Sequence, residues 1–406
     1  MGLRLGYVRT SSPLSPNSSD HYSAFGITAY TAGLPEVMAE FNVSMPVAIL
    51  GMSLYIFGIV FAPIYTPHLA ERQGRSKLYL VSMFCFMFFE LGASRSKSFA
   101  SLAICRFFAG FSGGPCLVLI EGTFADVWSA NTTNTYYAVL GIAAYVGAAS
   151  GPLISNFIVQ ATGNWRWTQY TTIIFALAAF LFSIGIPETY GREIPRRRNR
   201  NRGLPPPQQP AAESGVTIAQ MARITVASPL KMLVSEPIVI ICSLYLALNF
   251  AVVFQWFITV PVVLSSVYNF TPQQVGLAFI TAIVGALLAA VTTVIIELGF
   301  YRSFVMKKGE PMPRIEYRLI PAMIGGVFQV AALFWIGWTA SPSFSFVSPI
   351  LGTVLYVWGN VLVLGSIIPY IFDAYPPAGT LSALTIMASL RLVCAGLLPL
   401  VIIQSE

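Results

Sequence analysis

Charged residues are scarce in this 406-residue chain, where Asp, Glu, Lys and Arg together make up 10% of the residues. Soluble domains carry roughly 25%. Hydrophobic residues make up 56% of the chain, and the mean hydropathy is +0.71. A soluble protein of this composition could not cover its surface, so the composition excludes two or three soluble domains and indicates an integral membrane protein.

Histidine and cysteine are also few. The chain has two histidines, His21 and His68, and five cysteines that are widely spaced within apolar blocks. These residues form no pattern typical of a catalytic cluster, a metal site or a disulfide framework. We therefore expect neither an enzyme nor a bound cofactor. Residues 1–23 are rich in Ser and Pro and lack an apolar core, so we expect no cleavable signal peptide.

Long apolar blocks are abundant, and they favour membrane-spanning helices over the alternating strands of a membrane barrel. A helix needs about 20 apolar residues to cross the hydrocarbon core. Ten segments approach that length: 47–65, 78–93, 99–124, 136–159, 170–186, 237–263, 275–296, 319–338, 347–372 and 381–403. An eleventh, 22–34, has only 13 residues, which predicts a short first span or a re-entrant helix.

The basic residues predict how the chain is oriented. With a cytoplasmic N-terminus and 22–34 counted as a span, 18 of the 23 Lys and Arg residues fall in cytoplasmic segments and three in outside loops, while Arg106 and Arg391 lie within spans. Cytoplasmic loops retain Lys and Arg, so this distribution favours that orientation. The net charge of +7 therefore indicates orientation in a lipid bilayer rather than binding to nucleic acid.

The longest hydrophilic stretch, residues 188–236, predicts the division into domains. It contains a basic run at 196–202 and a proline-rich run at 205–210, which is typical of a disordered linker. We expect a disordered cytoplasmic segment at 1–21, an N-terminal helical half at 22–187, this cytoplasmic linker, and a C-terminal half at 237–406. Six spans, a linker and five spans are typical of transporters with two six-helix halves, here without a twelfth span.

Two glycosylation sequons give a weaker indication of topology. Asn42 and Asn269 each begin an Asn-X-Ser/Thr motif in a predicted outside loop, where a glycan can be attached. Asn131 begins a third motif in a predicted inside loop and should stay unmodified.

The loop after the second span contains Glu71, Gly74 and Arg75. In such a tight cytoplasmic turn, the acid and the basic residues can pair with helix ends, and the basic residues can pair with an acid across the domain, such as Asp126. This loop resembles that of the major facilitator superfamily and, more narrowly, that of the fungal twelve-spanner drug:H+ antiporters. The resemblance extends over about residues 24–400 and implies a gating latch. A plain positively charged loop is the alternative.

The fourth span contains Arg106 inside an apolar block. An arginine there costs about 2.5–3.5 kcal/mol on insertion scales, so it usually faces a cavity and a partner. The family also has an arginine in this helix, and the resemblance implies a role in proton coupling. Glu90, at a similar depth on the preceding span, is a candidate partner. Alternatively, Arg106 extends to the nearby membrane interface.

The fifth span contains Gly147, Gly151 and Pro152, which match the antiporter signature of the family. Glycines four residues apart let a neighbouring helix approach closely, and proline kinks a helix. The resemblance implies a hinge for rocking motion, and small-residue packing alone is the alternative.

The candidate substrate-cavity residues lie on the seventh and last spans. Asn249 and Gln255 are the polar candidates, Phe250 and Phe254 replace tyrosines that the family often has, and Arg391 lies near the midplane. The lost hydroxyls predict an apolar pocket.

Three further motifs resemble motifs of the family and lie at 165–168, 187–190 and 370–375. We interpret them as interfacial anchors and helix caps.

Together these features predict an all-α integral membrane protein with the major facilitator fold. The expected function is proton-coupled efflux of a small apolar compound, such as a drug, toxin or secondary metabolite, by a monomer in the plasma membrane or a vacuolar membrane. A carrier of polyamines or sugars is the alternative. A truncated relative that cannot transport is another, since 22–34 is short and no twelfth span is present.

Overall fold

The computed structural model describes residues 24–127, 133–185, 223–296 and 315–402, together with the single residues Asn199 and Gly299. These ranges are helical and contain no strand. The absence of strands follows from the sequence, because in a lipid environment a helix satisfies its backbone hydrogen-bonding groups within one segment.

The described residues form fourteen labelled helices. In chain order they are α1 (residues 24–41), α2 (Met45–Val60), α3 (Ala62–Gln73), α4 (Arg75–Ser94), α5 (Phe99–Val127), α6 (Thr133–Thr162), α7 (Arg166–Ile184), α8 (Ser228–Ser235), α9 (Pro237–Tyr268), α10 (Pro272–Ala278), α11 (Ile280–Ile295), α12 (Ile320–Thr339), α13 (Val347–Ala374) and α14 (Pro377–Ile402).

Within the described residues, nine helical segments are long and apolar enough to cross a membrane, or ten if α2 and α3, bent by 41°, form one span. Each of the ten segments predicted from the sequence coincides with one of these spans, so the all-α membrane fold is confirmed. Large apolar side chains on the outside of the bundle are exposed, as Met323, Val327 and Trp338 are on α12. These faces are suited to contact lipid.

The first helix, α1, is longer than the apolar segment 22–34, although it is not among the segments long and apolar enough to cross a membrane. Its apolar segment ends at Leu34, but the helix continues through the 3-10 turn Tyr30–Gly33 into Leu34–Phe41. Pro35 lies in the first turn of the continuing helix, where its missing N–H breaks no hydrogen bond. The acidic Glu40 is tolerated at the far end because it pairs with Arg166.

The two halves pack against each other along two seams. On one side α2 packs against α14, and on the other α6 packs against α10, α11 and α13. Helices α1–α7 form the N-terminal half and α9–α14 the C-terminal half. The space between the seams contains the candidate site.

Candidate functional site

A cavity of about 770 Å³ lies between the two halves. Its wall comes mainly from apolar residues of both halves, such as Ile59 and Leu117 on one side and Phe250 and Leu384 on the other. It also reaches Arg75, at the start of α4. The charge distribution predicts that this end of the bundle is cytoplasmic, so the cavity extends toward the predicted cytoplasmic side.

Aromatic rings of α9 form one wall of the cavity. The ring centroids of Phe250 and Phe254 are 6.2 Å apart, those of Phe254 and Phe257 are 6.4 Å apart, and all three rings line the cavity. Arg391 of α14 also lines it, with its guanidinium carbon 4.8 Å from the Phe250 ring centroid. Of the five residues proposed from the sequence, Phe250, Phe254 and Arg391 therefore lie on the cavity wall.

The two polar candidates on α9 lie elsewhere. Asn249 is 3% exposed and is not among the residues that line the cavity. Gln255 lines a smaller pocket of about 180 Å³, where its Nε2 donates to Thr259 Oγ1 at 3.0 Å. Side chains one residue apart point about 100° from each other around a helix. Asn249 and Gln255 therefore face away from the cavity that their neighbours Phe250 and Phe254 line.

Asn249 instead belongs to a buried polar chain that crosses between the halves. Its Nδ2 donates to Gln329 Oε1 on α12 at 3.1 Å, and its Oδ1 accepts from Asn360 Nδ2 on α13. Asn360 Oδ1 in turn accepts from the hydroxyl of Tyr145 on α6. The sequence analysis did not identify Tyr145, Gln329 or Asn360. Their detectable signal was a polar side chain inside a long apolar block.

Arg106 is the centre of a second buried cluster, within the N-terminal half. Its side chain is fully buried, and its Nη1 lies 3.0 Å from Glu90 Oε1 on α4, which is also fully buried. The same nitrogen lies 3.4 Å from Gln169 Oε1 on α7. The structure thus places the candidate partner Glu90 in an ion pair with Arg106, which faces the interior of the half rather than the membrane interface.

Main-chain carbonyls complete the Arg106 cluster. Nη2 donates to the carbonyl of Gly26 at 3.0 Å, and Nε donates to the carbonyl of Gly51 at 3.3 Å. The guanidinium carbon also lies 5.0 Å from the ring centroid of Tyr30 and 4.5 Å from that of Tyr55. Arg106 therefore connects helices α1, α2, α4, α5 and α7. A single side chain thus joins five of the seven helices of the N-terminal half.

The predicted hinge of α6 packs against α1. Pro152 has no N–H, so the carbonyl of Ala148 cannot receive its usual bond four residues on. That carbonyl accepts instead from Thr28 Oγ1 at 2.7 Å. The neighbouring Gly151 permits this approach, since a Cβ there would lie 2.3 Å from the Thr28 oxygen. Gly147 is buried in the same helix.

The predicted latch lies where α3 ends and α4 begins. Gly74 has φ of 82°, a backbone conformation that glycine adopts without strain. Arg75 follows at the start of α4 and lines the mouth of the cavity. The side chains of Glu71 and Asp126 lie outside the described residues. The pairing of the charged residues of the loop with helix ends and with Asp126 therefore stays a prediction.

The opposite end of the cavity is closed by α10 packing on α6. A Cβ on Gly276 would lie 3.1 Å from the carbonyl oxygen of Leu153 and 3.2 Å from the Cβ of Asn156. Nearby, the main-chain N–H of Gln273 donates to Gln160 Oε1 at 3.1 Å. The closed end is the predicted outside, so the cavity opens toward the predicted cytoplasmic side.

The family-like motifs form contacts at helix ends. Arg166 pairs with Glu40 at 2.5 Å, and Trp165 Nε1 donates to the same carboxylate at 2.7 Å. At the other end of the bundle, Asp373 lies 2.6 Å from Arg318. Residues 187–190 lie outside the described residues.

His68, which the sequence analysis did not assign to the site, contacts the segment that precedes α8 at the predicted cytoplasmic end. Its Nε2 lies 2.5 Å from Thr225 Oγ1 in the turn Arg223–Ala227, just before α8.

The two sequon asparagines are exposed at the ends of helices. Asn42 has φ of 50° and follows α1, and Asn269 has φ of 53° and follows α9. Asparagine is one of the few residues that adopt this left-handed conformation readily. Each asparagine therefore also has a backbone role, independent of any glycan. Asn131 lies outside the described residues.

Comparisons with known proteins agree with this architecture. The efflux pump FUBT of Fusarium oxysporum is 29% identical over 364 residues, which cover 87% of this chain and 60% of the pump. Polyamine transporter 3 of Saccharomyces cerevisiae is 31% identical over 385 residues, which cover 94% of this chain and 61% of the transporter. The chain thus spans about three-fifths of the length of these relatives.

The fold also matches solved structures. A D-xylose–proton symporter superposes with a TM-score of 0.65 at 14% identity, covering 96% of this chain and 88% of the symporter. The family profile described as Major Facilitator Superfamily matches residues 22–399. A two-half helical bundle, a cavity between the halves and a family match over nearly the whole chain lead to one conclusion: this chain belongs to the major facilitator superfamily of membrane transporters.

Proposed function

We propose that the chain exports a small, largely apolar organic compound in exchange for protons. The observation that carries this proposal is the cavity of about 770 Å³ between the halves, whose wall is mostly apolar and includes Phe250, Phe254 and Phe257. A compound that enters from the predicted cytoplasmic side could be released outside once the two halves rock about it. The name of the relative FUBT, an efflux pump, supports the same direction.

The ion pair of Arg106 and Glu90 supports proton coupling. Protonation of Glu90 would remove the negative charge opposite Arg106 and weaken a cluster that joins five helices. A proton would then bias which arrangement of these helices is favoured, because a ligand shifts a conformational equilibrium by its differential affinity for the two states.

The experiment measures efflux of an apolar fluorescent dye such as Nile red from cells that express the chain, with and without a proton uncoupler. We expect uncoupler-sensitive efflux in the wild type and a loss of at least about tenfold in Glu90→Gln, because the protonatable carboxyl is gone. Glu316→Gln is the matched control, since Glu316 is exposed. If the wild type and Glu90→Gln retain dye equally and neither responds to the uncoupler, the proposal is wrong.

A polyamine carrier is the second candidate, because two relatives are named polyamine transporters. A polycation needs carboxylates in its binding site, because a charge that leaves water is stabilised by an opposite charge nearby. In the described part of the chain, no Asp or Glu lines the cavity. Including labelled spermidine in the same assay tests this candidate, and we expect it not to be exported.

We also propose that the protein resides in the plasma membrane as a monomer, with N-glycans at Asn42 and Asn269. A fluorescent fusion distinguishes the plasma membrane from a vacuolar membrane, and cross-linking in the membrane tests whether the protein is a monomer.

For the glycans, Asn269→Gly is the suitable variant, because glycine keeps the left-handed backbone that Asn269 has. A gel mobility that glycosidase treatment leaves unchanged would contradict glycosylation.

A further inference from the structure

The charges on the cavity wall are of one sign. In the described part of the chain, the charged residues that line the cavity are Arg75 and Arg391, and no Asp or Glu is among the lining residues. Arg75 is at the mouth, on the predicted cytoplasmic side. Arg391 lies inside α14, near its middle, with hydrophobic residues such as Leu384 and Leu392 around it.

Arg391 is positioned to meet a ligand. Its side chain is partly exposed, and its guanidinium carbon lies 4.8 Å from the ring centroid of Phe250, which also lines the cavity. It takes part in a further interaction as well. A guanidinium has five N–H donors and stays charged at every physiological pH. It can therefore keep its present contacts and still donate to an anionic group.

We propose that this cavity binds amphipathic organic anions, in which a carboxylate or sulfonate is joined to an aromatic or aliphatic body. The anionic group would accept hydrogen bonds from Arg391, and the body would pack against Phe250 and Phe254. The inference deepens the proposed export function and rests on it, since it names the substrate class of the same cavity.

The physical argument is electrostatic. A fixed cation on an apolar cavity wall interacts with other charges more strongly than it does in bulk water, because the effective dielectric constant is lower near a protein. Charge-assisted hydrogen bonds from arginine to a carboxylate are short and geometrically specific. The same charge repels a cationic ligand, so the wall selects anions over polyamines while its apolar part selects for size and hydrophobicity.

The test is equilibrium dialysis of the purified full-length chain in detergent, with empty micelles as background. The probes share one ring system and differ in charge: 2-naphthoate, 2-naphthylmethanol and 2-naphthylmethylammonium. We expect naphthoate to bind at least about tenfold more tightly than the ammonium probe, the range that a hydrogen bond to a charged group spans.

Variants of Arg391 show whether this residue supplies the preference. We expect Arg391→Gln to weaken naphthoate binding about tenfold and to leave naphthylmethanol unchanged, and Arg391→Lys to retain most of the preference because it keeps the charge. Arg95→Gln is the matched control, since Arg95 is exposed between α4 and α5. An unchanged thermal unfolding temperature shows that a variant is folded.

The outcomes separate this inference from the export proposal. Equal binding of the three probes, absence of binding by any of them, or an unchanged preference in folded Arg391→Gln would overturn the anion site, whatever the dye efflux shows. Preferential naphthoate binding together with a lack of dye or naphthoate export from cells would support the anion site and overturn the export proposal.

Discussion

Arg106 illustrates why an arginine, rather than any cation, suits its position. Its three nitrogens donate in different directions, to Glu90, to the carbonyl of Gly26 and to the carbonyl of Gly51. A guanidinium presents its donors in a rigid planar fork, whereas a lysine ammonium is a compact point charge on a flexible stem. The planar group also lies against the rings of Tyr30 and Tyr55.

We predict that Arg106→Lys lowers the free energy of unfolding by about 2 kcal/mol or more, because the lysine cannot replace all of these hydrogen bonds. Thermal unfolding of the purified protein in detergent measures this change. Arg95→Lys, at an exposed position, is the control and should leave the unfolding temperature unchanged. Equal stability of Arg106→Lys and the wild type would show that charge alone matters at this position.

Much of the Arg106 site follows from the sequence, and part of it does not. A cation inside an apolar span is visible without a structure, and Glu90 was a candidate partner because of its similar depth. Gln169 and the carbonyls of Gly26 and Gly51 were not identified. A main-chain carbonyl is present at every residue, so no residue type marks the ones that a distant side chain will reach.

At the level of helices, α6 contacts α1 at the point where Pro152 leaves a carbonyl of α6 without its usual backbone donor. Pro152 frees the carbonyl of Ala148, Gly151 leaves room for a close approach, and the Thr28 hydroxyl supplies the missing donor. The predicted hinge is therefore supported from the neighbouring helix, so α1 and α6 are expected to move together when the halves rock.

We predict that Thr28→Val destabilises the protein by about 1 kcal/mol, the size of a typical hydrogen bond between membrane helices. Valine has nearly the same shape but cannot donate to the carbonyl of Ala148. Unfolding of the purified protein by a denaturing detergent measures the difference. Thr293→Val is a matched control, because the buried Thr293 hydroxyl donates to Ala289 of its own helix at 2.9 Å. Equal effects of the two substitutions would argue against a special role for Thr28.

The helices were predicted well in their interiors and less well at their ends. Hydropathy locates the apolar part of a span, but a helix continues as long as its backbone bonds and caps allow. Thus α1 extends past Leu34 to Phe41, with Glu40 compensated by Arg166. The break between α2 and α3 was not predicted either, although the sequence carries a signal for it: Pro63 lies in the first turn of α3 and has no backbone N–H to continue the α2 ladder.

At the scale of the whole molecule, the buried polar chain joins the two halves through hydrogen bonds. Tyr145 of the N-terminal half donates to Asn360 of the C-terminal half, and Asn360 continues the chain to Asn249 and Gln329. This chain forms while the predicted outer end is closed. A carrier that alternates its access has to change the contacts between its halves, so the Tyr145 bond is expected to favour the inward-facing state.

We predict that Tyr145→Phe shifts the protein toward outward-facing conformations, because the bond that favours the inward-facing state is lost. Spin labels at Ala161→Cys and Gln273→Cys, on the outer ends of α6 and α10, would show longer distances in a cysteine-free background. Tyr268→Phe is the control, since Tyr268 donates to carbonyls within its own half. An identical distance distribution in Tyr145→Phe and the parent would contradict the prediction.

The order of the two halves was predictable from the spacing of apolar blocks and from the basic linker between them. The pairing of α6 with α10, α11 and α13 was not, because packing between distant helices leaves little pattern in a single sequence. The same limit applies to the polar residues of α9: hydropathy does not distinguish the cavity face that carries Phe250 from the buried face that carries Asn249.

The carbonyl bonds of Arg106 also bear on how relatives of this chain can diverge. Two of its four hydrogen-bond acceptors, at Gly26 and Gly51, belong to the main chain, and these bonds place no demand on a partner side chain. A survey of paired substitutions across an alignment would therefore couple Arg106 to Glu90 and Gln169. The links to α1 and α2 would leave no covariation signal, although they contribute to the same cluster.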